Sequence, residues 1–431
     1  MLENQLIIDD SRQGLFLVNK KIFVDPEIFA SEFASIFNKV WLYLGHESEI
    51  PCAGDFITRR VAGRPLIYAR GQDGAIQVFI NSCLHNGALV CREARGNSRY
   101  FSCAYHGWVF DNTGNLREVP GEAAFGPNFQ KSDYGLRRPP FVDTYKGFTF
   151  VCFDPQATQS LQEFLAGACE YLDLLDIQGA EGMEILPGTH FYSTRANWKM
   201  LPVNVIDGNH FFPTHATYLE YLRVMGHDLS QPVSDFNEVT LGNGHTVFEY
   251  EAPWGRATGK PDKAWSEETN ALIQQNRDEL ALRVGDSMAD RLAKKNRNLV
   301  IFPNLIINDI VGVTVRVCEP LSPDYMEVTA WELAPKGENP KVRAMRTDNF
   351  LTFLGPAGFA TPDDIEGMET SQKGFASWHE VPWATYSKGM HDNAQGPGNN
   401  DSMMRYFWRH WAVMMGVIKP EETTLLDHQV G

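Results

Sequence analysis

Two short segments of the sequence each offer one cysteine and one histidine at a spacing that suits metal binding. Cys83-x-His85 lies in N-S-C-L-H-N-G-A-L-V-C, and Cys103-x2-His106 lies in F-S-C-A-Y-H-G-W-V-F after seventeen intervening residues. A structural zinc site usually combines two cysteines in one segment with two histidines in another. The mixed pairs favour a [2Fe–2S] cluster in which one iron binds two thiolates and the other two imidazoles, with zinc as the alternative.

A second group of polar residues interrupts an apolar stretch between residues 197 and 218. Asn204, Asp207 and His210 recur at i, i+3 and i+6, so on a helix they form one polar stripe. His215 points elsewhere on a straight helix, but Pro213 should kink or end the helix and let the two imidazoles converge. The alternative is a pair of partly buried histidines without a ligand role.

Composition narrows the class of protein. The 431 residues are 43% hydrophobic and 21% charged, which is typical of globular protein with two or three domains. The net charge of −16 argues against a nucleic-acid binder, which would show a basic face. The N-terminus lacks the features of a signal peptide and no run approaches the roughly 20 apolar residues of a membrane span, so we expect a cytoplasmic protein that contacts no membrane.

Seven cysteines at irregular spacing do not form a disulfide framework. Outside the two metal-type segments, the remaining cysteines are predicted to be small buried hydrophobic residues; these are Cys52, Cys91, Cys152, Cys169 and Cys318.

The secondary-structure pattern of the sequence changes at about residue 155. Residues 26–41 predict an amphipathic helix, and the chain up to about residue 155 then shows short β-type runs separated by turn residues. These runs are Phe56–Arg60, Pro65–Ala69, Ile76–Ile80 and Gly147–Phe153. Beyond residue 155 the pattern predicts extended chain at 183–196, charged helices at 255–297, antiparallel strands at 298–334, and helices at 342–354 and 402–415.

Three segments resemble the Rieske oxygenases, in the family's order and across nearly the whole chain. C-A-Y-H-G-W-V-F is similar to the second cluster loop, and the stretch from Trp198 to His215 is similar to the iron-binding segment. L-G-P-A-G-F-A-T-P-D-D-I-E-G-M-E-T at 354–370 is similar to the segment with the third iron ligand. One departure is Asn86, because the family usually has arginine after the first ligand histidine. We expect the cluster to form nevertheless, and Asn86 to alter either its reduction potential or its docking surface.

The resemblance implies two metal sites. The cluster ligands would be Cys83, His85, Cys103 and His106. The ligands of a mononuclear Fe(II) would be His210, His215 and Asp364, with Asp363 as the alternative. Such a triad leaves one face of the iron open for dioxygen and substrate. An isolated Asp-Asp pair before a helix would ordinarily be a capping pair instead.

The implied fold is α+β. It comprises a small all-β Rieske [2Fe–2S] domain at 41–155 and a catalytic iron domain of helix-grip type at 156–431, with an antiparallel sheet flanked by helices. Residues 1–40 are expected to be an N-terminal helical segment that packs on the catalytic domain.

The implied activity is that of the large subunit of an aromatic ring-hydroxylating dioxygenase. A reductase, often with a separate ferredoxin, would pass NADH electrons to the cluster and on to the iron, where O2 is added to an arene as a cis-diol. D-G-N-H-F-F-P-T-H-A-T-Y-L-E-Y-L most resembles members acting on substituted benzenes and benzoates such as p-cumate. The first alternative is a Rieske monooxygenase or demethylase. The second, an iron–sulfur electron-transfer or redox-sensing protein, is disfavoured by the iron triad.

The family also assigns a role to the carboxylate at Asp207. There it bridges an iron histidine to a cluster histidine of the neighbouring subunit, so Asp207 should accept from His210 and from His106 of an adjacent chain. A ring of three subunits follows as the simplest closed assembly, alone or with a small non-catalytic beta subunit.

The substrate site should be an apolar slot with few polar groups, since the substrate is a flat arene. The residues that flank the iron ligands in sequence are expected to line it, with Asn204 as the polar contact; the apolar ones are Val205, Ile206, Phe211, Leu354 and Phe359.

Overall fold

The chain divides into two compact units. The computed structural model describes residues 5–391 and 400–419. One unit is Phe37–Leu161, and the other combines Met1–Ile36 with Gln162–Gly431. The boundaries expected after residues 40 and 155 lie close to these divisions. The N-terminal segment holds more than the predicted helix, because strands β1 (Ile7–Asp10) and β2 (Leu15–Asn19) precede helix α1 (Pro26–Glu32).

The smaller unit is built from three antiparallel sheets. Strands β3 (Trp41–His46), β11 (Phe141–Tyr145) and β12 (Phe148–Cys152) form one sheet. The second contains β4 (Asp55–Val61), β5 (Arg64–Arg70), β6 (Ile76–Ile80) and β7 (Arg95–Asn97), and the third contains β8 (Tyr100–Ser102), β9 (Val109–Asp111) and β10 (Leu116–Glu118). The four strands expected from short β-branched and aromatic runs are confirmed as parts of β4, β5, β6 and β12.

The larger unit is organised around an eight-stranded antiparallel sheet. Its strands are β13 (Met183–Ile185), β14 (His190–Thr194), β15 (Ser234–Thr240), β16 (Thr246–Glu251), β17 (Lys295–Ile301), β18 (Leu305–Asp309), β19 (Val313–Ser322) and β20 (Tyr325–Pro335). The order is β13-β20-β19-β18-β17-β16-β15, and β14 also pairs with β20. The strands expected at 298–334 are therefore confirmed as the centre of the sheet.

Helices flank this sheet, as the fold class requires. They are α2 (Leu161–Leu165), α3 (Ala168–Asp176), α4 (Met200–Val205), α5 (Phe211–Thr214), α6 (Ala216–Val224), α7 (Glu267–Val284), α8 (Asp286–Lys294), α9 (Pro340–Thr352), α10 (Ala360–Phe375) and α11 (Ser402–Met414). A short strand, β21 (Trp383–Thr385), adds to β1 and β2. Ser266 caps α7 by accepting from the backbone N–H of Thr269, which satisfies one of the free amides of a helix N-terminus. In the part of the chain that the structure describes, no helix is long and apolar enough to cross a membrane.

Two sequence expectations about helices need correction. The helix expected at 26–41 is α-helical only to Glu32 and continues as a π-helical turn at Phe33–Phe37. The helix expected to carry Asn204, Asp207 and His210 as one stripe is instead interrupted between Val205 and Phe211. Gly208 lies in the break and has low helix propensity. The Asp207 side chain accepts from the backbone N–H of Asn209 at 2.7 Å, a local bond that competes with helix formation.

The cysteine expectation also holds only in part. Cys91, Cys152 and Cys318 are buried free thiols, but Cys52 is exposed and Cys169 is only partly buried. Cys52 lies in the turn before β4, where its backbone N–H donates to Asp55, so its position is set by turn geometry rather than by burial.

A buried ion pair ties the N-terminal segment to the site-bearing helices of the larger unit. The side chains of Glu32 and Lys199 are both fully buried, and Lys199 Nζ lies 2.6 Å from Glu32 Oε1. The indole N–H groups of Trp198 and Trp411 donate to the same carboxylate at 2.7 and 2.8 Å. Glu32 therefore joins α1, the residues just before α4, and α11 through three charge-assisted contacts.

We predict that Glu32→Gln lowers the free energy of unfolding of the larger unit by about 3–5 kcal/mol, because Lys199 is left as a buried charge without a counter-ion. The measurement is chemical denaturation followed by tryptophan fluorescence. The double variant Glu32→Met with Lys199→Met should lose less than Glu32→Gln, since both charges are removed together. The exposed pair Lys263–Asp228 provides the control, and Lys263→Met should leave the transition unchanged. If the Glu32→Gln protein were as stable as the parent, the Glu32–Lys199 pair would not be what holds the N-terminal segment to these helices.

Candidate metal centres and substrate cavity

Two similar loops bring the mixed cysteine–histidine pairs together in the smaller unit. In the first loop the N–H of Gly87 donates to the carbonyl of Cys83 at 2.8 Å, and in the second the N–H of Gly107 donates to that of Cys103 at 2.9 Å. Both glycines have positive φ, 75° and 69°. Residues that carry a side chain rarely adopt this backbone conformation. The two loops therefore present their cysteines in matching turns.

The donor atoms of these loops suit a two-iron cluster. Cys83 and Cys103 are buried, and their thiols face each other. The imidazoles of His85 and His106 are exposed, with ring centroids 4.2 Å apart. Burial raises the pKa of the Cys83 thiol, so its thiolate form needs a cation beside it. Trp108 stacks on His85 with centroids 5.1 Å apart and fixes that ring.

In the larger unit, one carboxylate oxygen faces two imidazole nitrogens. Asp364 Oδ1 lies 3.4 Å from Nε2 of His210 and 3.3 Å from Nε2 of His215. The three donor atoms all lie within 4.8 Å of one another. Donors that bind one metal ion at about 2.1 Å lie roughly 3 to 3.5 Å apart, so this arrangement fits a single metal ion.

The break in the helix, rather than a continuous helical stripe, brings the histidines together. His210 and His215 flank the four residues of α5, one at each end, and their ring centroids are 5.3 Å apart. Pro213 lies inside α5 rather than at a kink. Asp364 comes from the second turn of α10, and no side chain caps the N-terminus of that helix. The Asp363–Asp364 pair is therefore not a helix cap.

A second carboxylate lies behind each histidine. Asp207 Oδ2 is 3.6 Å from Nδ1 of His210, and Asp363 Oδ2 is 3.6 Å from Nδ1 of His215. These distances are too long for hydrogen bonds, and both Nδ1 atoms are buried without a partner. Each ring is thus positioned with Nε2 toward the common point and Nδ1 toward an anion, the usual arrangement around metal-binding histidines.

The electrostatics of the triad favour a cation at this point. Burial alone would lower the pKa of His210, but the carboxylates of Asp207 and Asp364 raise it to about 10. Burial would raise the pKa of Asp364, yet its contacts with His210 and His215 hold it well below its ordinary value. A proton on His210 balances the charge here, and a metal ion at Nε2 would replace it.

A cavity of about 720 Å³, including its mouth open to solvent, adjoins the triad. Four of the six expected substrate contacts line it, and these are Asn204, Val205, Phe211 and Leu354. Asn204 also donates to Asp364 Oδ1 at 3.1 Å, so it contacts the triad as well as the cavity.

Ile206 and Phe359 are not among the residues that line this cavity, so the structure brings four of the six expected residues together there and not these two. Ile206 is buried where α4 ends. Phe359 stacks on Tyr221 with ring centroids 4.5 Å apart, and its neighbour Ala360 lines the cavity instead. Adjacent residues at the start of a helix point in different directions. Proximity in sequence to an iron ligand therefore did not identify which residues line the cavity.

Sequence reasoning missed the part of the lining that comes from the sheet. Strands β16 to β19 contribute both aromatic and polar residues, namely Phe248, Tyr250, Asn298, Asn308 and Arg316. A signal was present, since Arg316 interrupts the apolar run V-G-V-T-V-R-V-C. A buried charge in a central strand requires a partner or a function.

Comparison with known proteins gives the same division into two parts. Residues 40–145 match the family model described as Rieske [2Fe-2S] domain, and residues 184–417 match the ring hydroxylating alpha subunit (catalytic domain). The alpha subunit of toluate 1,2-dioxygenase from Pseudomonas putida is 33% identical over 383 residues, covering 86% of this chain and 82% of that protein. The large subunit of anthranilate 1,2-dioxygenase from Acinetobacter baylyi is 31% identical over 407 residues, covering 90% and 83%.

The fold agrees with these sequence relations. The crystal structure of naphthalene 1,2-dioxygenase from Rhodococcus sp. bound to indole superposes with a TM-score of 0.80 at 27% identity, covering 94% of this chain and 95% of that chain. A cluster domain and an iron domain joined in one chain, with matching sequence over most of its length, leave one assignment. This chain belongs to the Rieske-type ring-hydroxylating dioxygenases, as their large (alpha) subunit.

Proposed function

We propose that this chain is the terminal oxygenase that adds both atoms of O2 to an aromatic ring, giving a cis-dihydrodiol from one arene, one O2, two electrons and two protons. The observation that carries the proposal is the position of Asp364 Oδ1, which faces Nε2 of both His210 and His215 at the edge of a largely apolar cavity. Both curated relatives are named as 1,2-dioxygenases of aromatic carboxylates.

The residues present fit the two metal groups. Cys83, His85, Cys103 and His106 would hold the [2Fe–2S] cluster, and His210, His215 and Asp364 would hold Fe(II). When bound, the cluster supplies electrons and the iron supplies the oxygen chemistry. The protein contributes the open face of the triad and an apolar cavity that orients the ring and limits water.

The apolar walls come from both the helices and the sheet. Val205, Phe211 and Leu354 lie on the ligand-bearing side, and Phe236 and Phe248 lie on β15 and β16. Aromatic walls suit a flat substrate, because ring faces and edges pack closely against one another. Asn204 supplies a polar group beside the triad.

Electron supply is the part of the proposal that extends beyond one chain. We propose that NADH electrons arrive through a reductase, with or without a ferredoxin, in the cytoplasm. Three subunits would form a ring, alone or with a beta subunit, so that Asp207 links His210 to His106 of an adjacent chain. The support is the family resemblance together with a partly exposed Asp207 carboxylate 3.6 Å from the His210 ring.

We expect the purified protein, supplied with reductase, NADH and 18O2, to convert an arene to a cis-diol that carries two 18O atoms. His210→Ala should abolish product while keeping the cluster, because only the iron triad is damaged. Products with a single 18O or a lost methyl group would instead identify a monooxygenase or demethylase. Reversible reduction without any organic product, across a panel of aromatic acids and hydrocarbons, would indicate an electron-transfer protein.

Cys103→Ala should abolish the visible absorption of the cluster, because one of its two thiolate ligands is lost. Cys91→Ala is the matched control: Cys91 is a buried thiol of the same hydrophobic core, and burial raises its pKa to about 11, as befits an unreactive thiol. Absorption and iron content per subunit are the measurements. If Cys103→Ala kept the full spectrum, or if Cys91→Ala lost it, the ligand assignment would be wrong.

Asp207→Asn should lose most turnover while it keeps both metals and the reducibility of the cluster. Asp363→Asn is the matched comparison, since Asp363 lies at the same 3.6 Å distance from the other histidine. If both carboxylates only orient rings, the two variants should lose similar affinity for iron, on the order of 10- to 100-fold. A relay through Asp207 requires a much larger loss of turnover in Asp207→Asn at equal iron content. Equal turnover in the two variants, or an active monomer, would exclude the relay.

A further inference from the structure

Three polar residues form a row across the centre of the sheet, on the wall of the cavity. Asn298 on β17 pairs in register with Asn308 on β18, and Asn308 pairs with Thr314 on β19. Arg316 lies two residues beyond Thr314 and therefore on the same face of the sheet. Asn308 Nδ2 donates to Asn298 Oδ1 at 2.8 Å, and Arg316 Nη2 donates to Asn308 Oδ1 at 2.7 Å. All three members of the row line the cavity.

Arg316 differs from the other buried arginines of this unit. Arg405 donates to the carbonyls of Tyr386 and Lys388 and to Asn400 Oδ1, and the other three pair with carboxylates. Arg256 pairs with Asp309 at 2.7 Å, Arg297 pairs with Glu249 and Asp309 at 2.8 and 3.0 Å, and Arg346 pairs with Glu338 at 2.6 Å. Arg316 is 2% exposed and, among the residues that the structure describes, has no carboxylate within ion-pair distance.

The hydrogen-bonding capacity of Arg316 is largely unused. A guanidinium has five N–H donors. In the described part of the chain, Arg316 makes one hydrogen bond, to the amide oxygen of Asn308. Its Nε is buried without a partner. A charged group in this state is costly unless something else occupies the site, and the cavity is the side from which a partner can come.

The neighbours of Arg316 do not neutralise its charge. The Tyr192 hydroxyl lies close by and is buried without a hydrogen bond of ordinary geometry. Burial raises the pKa of Tyr192 despite the nearby guanidinium, so the phenol stays neutral and can itself donate. Two carboxylates line the same cavity, those of Asp207 and Asp364. Asp364 contacts His210, His215 and Asn204, and Asp207 faces His210 and accepts from the backbone N–H of Asn209.

We infer that Arg316 is the specificity-determining residue of the cavity and binds the carboxylate of an aromatic acid substrate. This inference rests on the proposed function, because it concerns the substrate of that same site. A planar carboxylate matches the fork of the guanidinium, and the aromatic walls suit the attached ring. A neutral arene would leave the guanidinium buried without a counter-ion, whereas an aromatic acid supplies it.

The amides of the row prepare Arg316 for this role. Asn308 uses Oδ1 for Arg316 and Nδ2 for Asn298, so its orientation is fixed and one edge of the guanidinium is held. The remaining donors stay available for a ligand. Preorganisation of this kind lowers the entropy cost of binding.

The test compares benzoate with benzamide, a planar neutral molecule of nearly the same shape. Calorimetry on the metal-loaded protein without oxygen gives dissociation constants for both, so the readout does not depend on turnover. The parent should bind benzoate roughly 100-fold more tightly than benzamide, because only benzoate pairs with the buried charge. Arg316→Met should lose this preference, and Arg316→Lys should keep part of it, since the charge remains but the fork is lost.

Arg223→Met is the charge control, because Arg223 is an exposed arginine of the same unit that pairs with Glu220. It should bind both molecules as the parent does. Arg316→Met should fold, since it replaces an unpaired buried cation with an apolar side chain, and benzoate should raise the thermal midpoint of the parent but not of this variant. In steady-state kinetics the change should appear as a higher KM for benzoate.

Benzoate binding by Arg316→Met within about threefold of the parent, or a parent without preference for benzoate, would overturn the inference. If the parent still converts an arene of the panel to a diol in that case, the proposed function stands alone. If the preference follows Arg316 as expected but no arene is oxidised, the carboxylate site stands and the proposed function fails.

Discussion

The constraint on which this structure depends is that two imidazoles and a carboxylate must present their donor atoms to one point within a largely apolar cavity. Donors of this kind are normally hydrated, and burying them is costly unless a cation joins them. The protein meets the constraint by placing a second carboxylate behind each ring, Asp207 for His210 and Asp363 for His215. The point between the two Nε2 atoms is then surrounded by negative charge and attracts a cation.

Holding such a group requires a rigid frame, because the segment that carries the histidines is itself irregular. Only four helical residues separate His210 from His215, and a helix this short is not stable by itself. The frame comes from tertiary packing on both sides. The buried Glu32 carboxylate anchors Trp198 and Lys199 just ahead of α4, and α10 brings Asp364 from a distant part of the chain. Stability of the frame and geometry of the triad are therefore linked through residues that do not touch the cavity.

Features that depend on residues close together in sequence could be predicted, and features that depend on contacts between distant residues could not. Each cluster loop is made by five or six consecutive residues, so Cys83 and His85 could be identified from local spacing. The central strands of the sheet, between residues 298 and 334, could likewise be predicted from their own residue types, whereas β15 and β16 were not. The interrupted helix could not, because it depends on the competition at Asp207 between a local side-chain bond and the helical pattern. The identity of the third donor came from family resemblance, since no local feature distinguishes Asp364 from Asp363 before the helix is placed against both histidines.

The residues of the cavity wall that come from the sheet were the hardest to predict from the sequence. Whether Arg316 faces the cavity or the opposite side of the sheet depends on strand register, and a shift of one residue would reverse it. Register in turn is fixed by the pairing of β18 with both β17 and β19, which no single strand reveals. The folded structure nevertheless contains a usable contrast, because Arg256, Arg297 and Arg346 of the same unit pair with carboxylates. A buried arginine that lines a cavity with no carboxylate partner and with most of its donors unused therefore indicates a charge that the protein leaves for its ligand to balance.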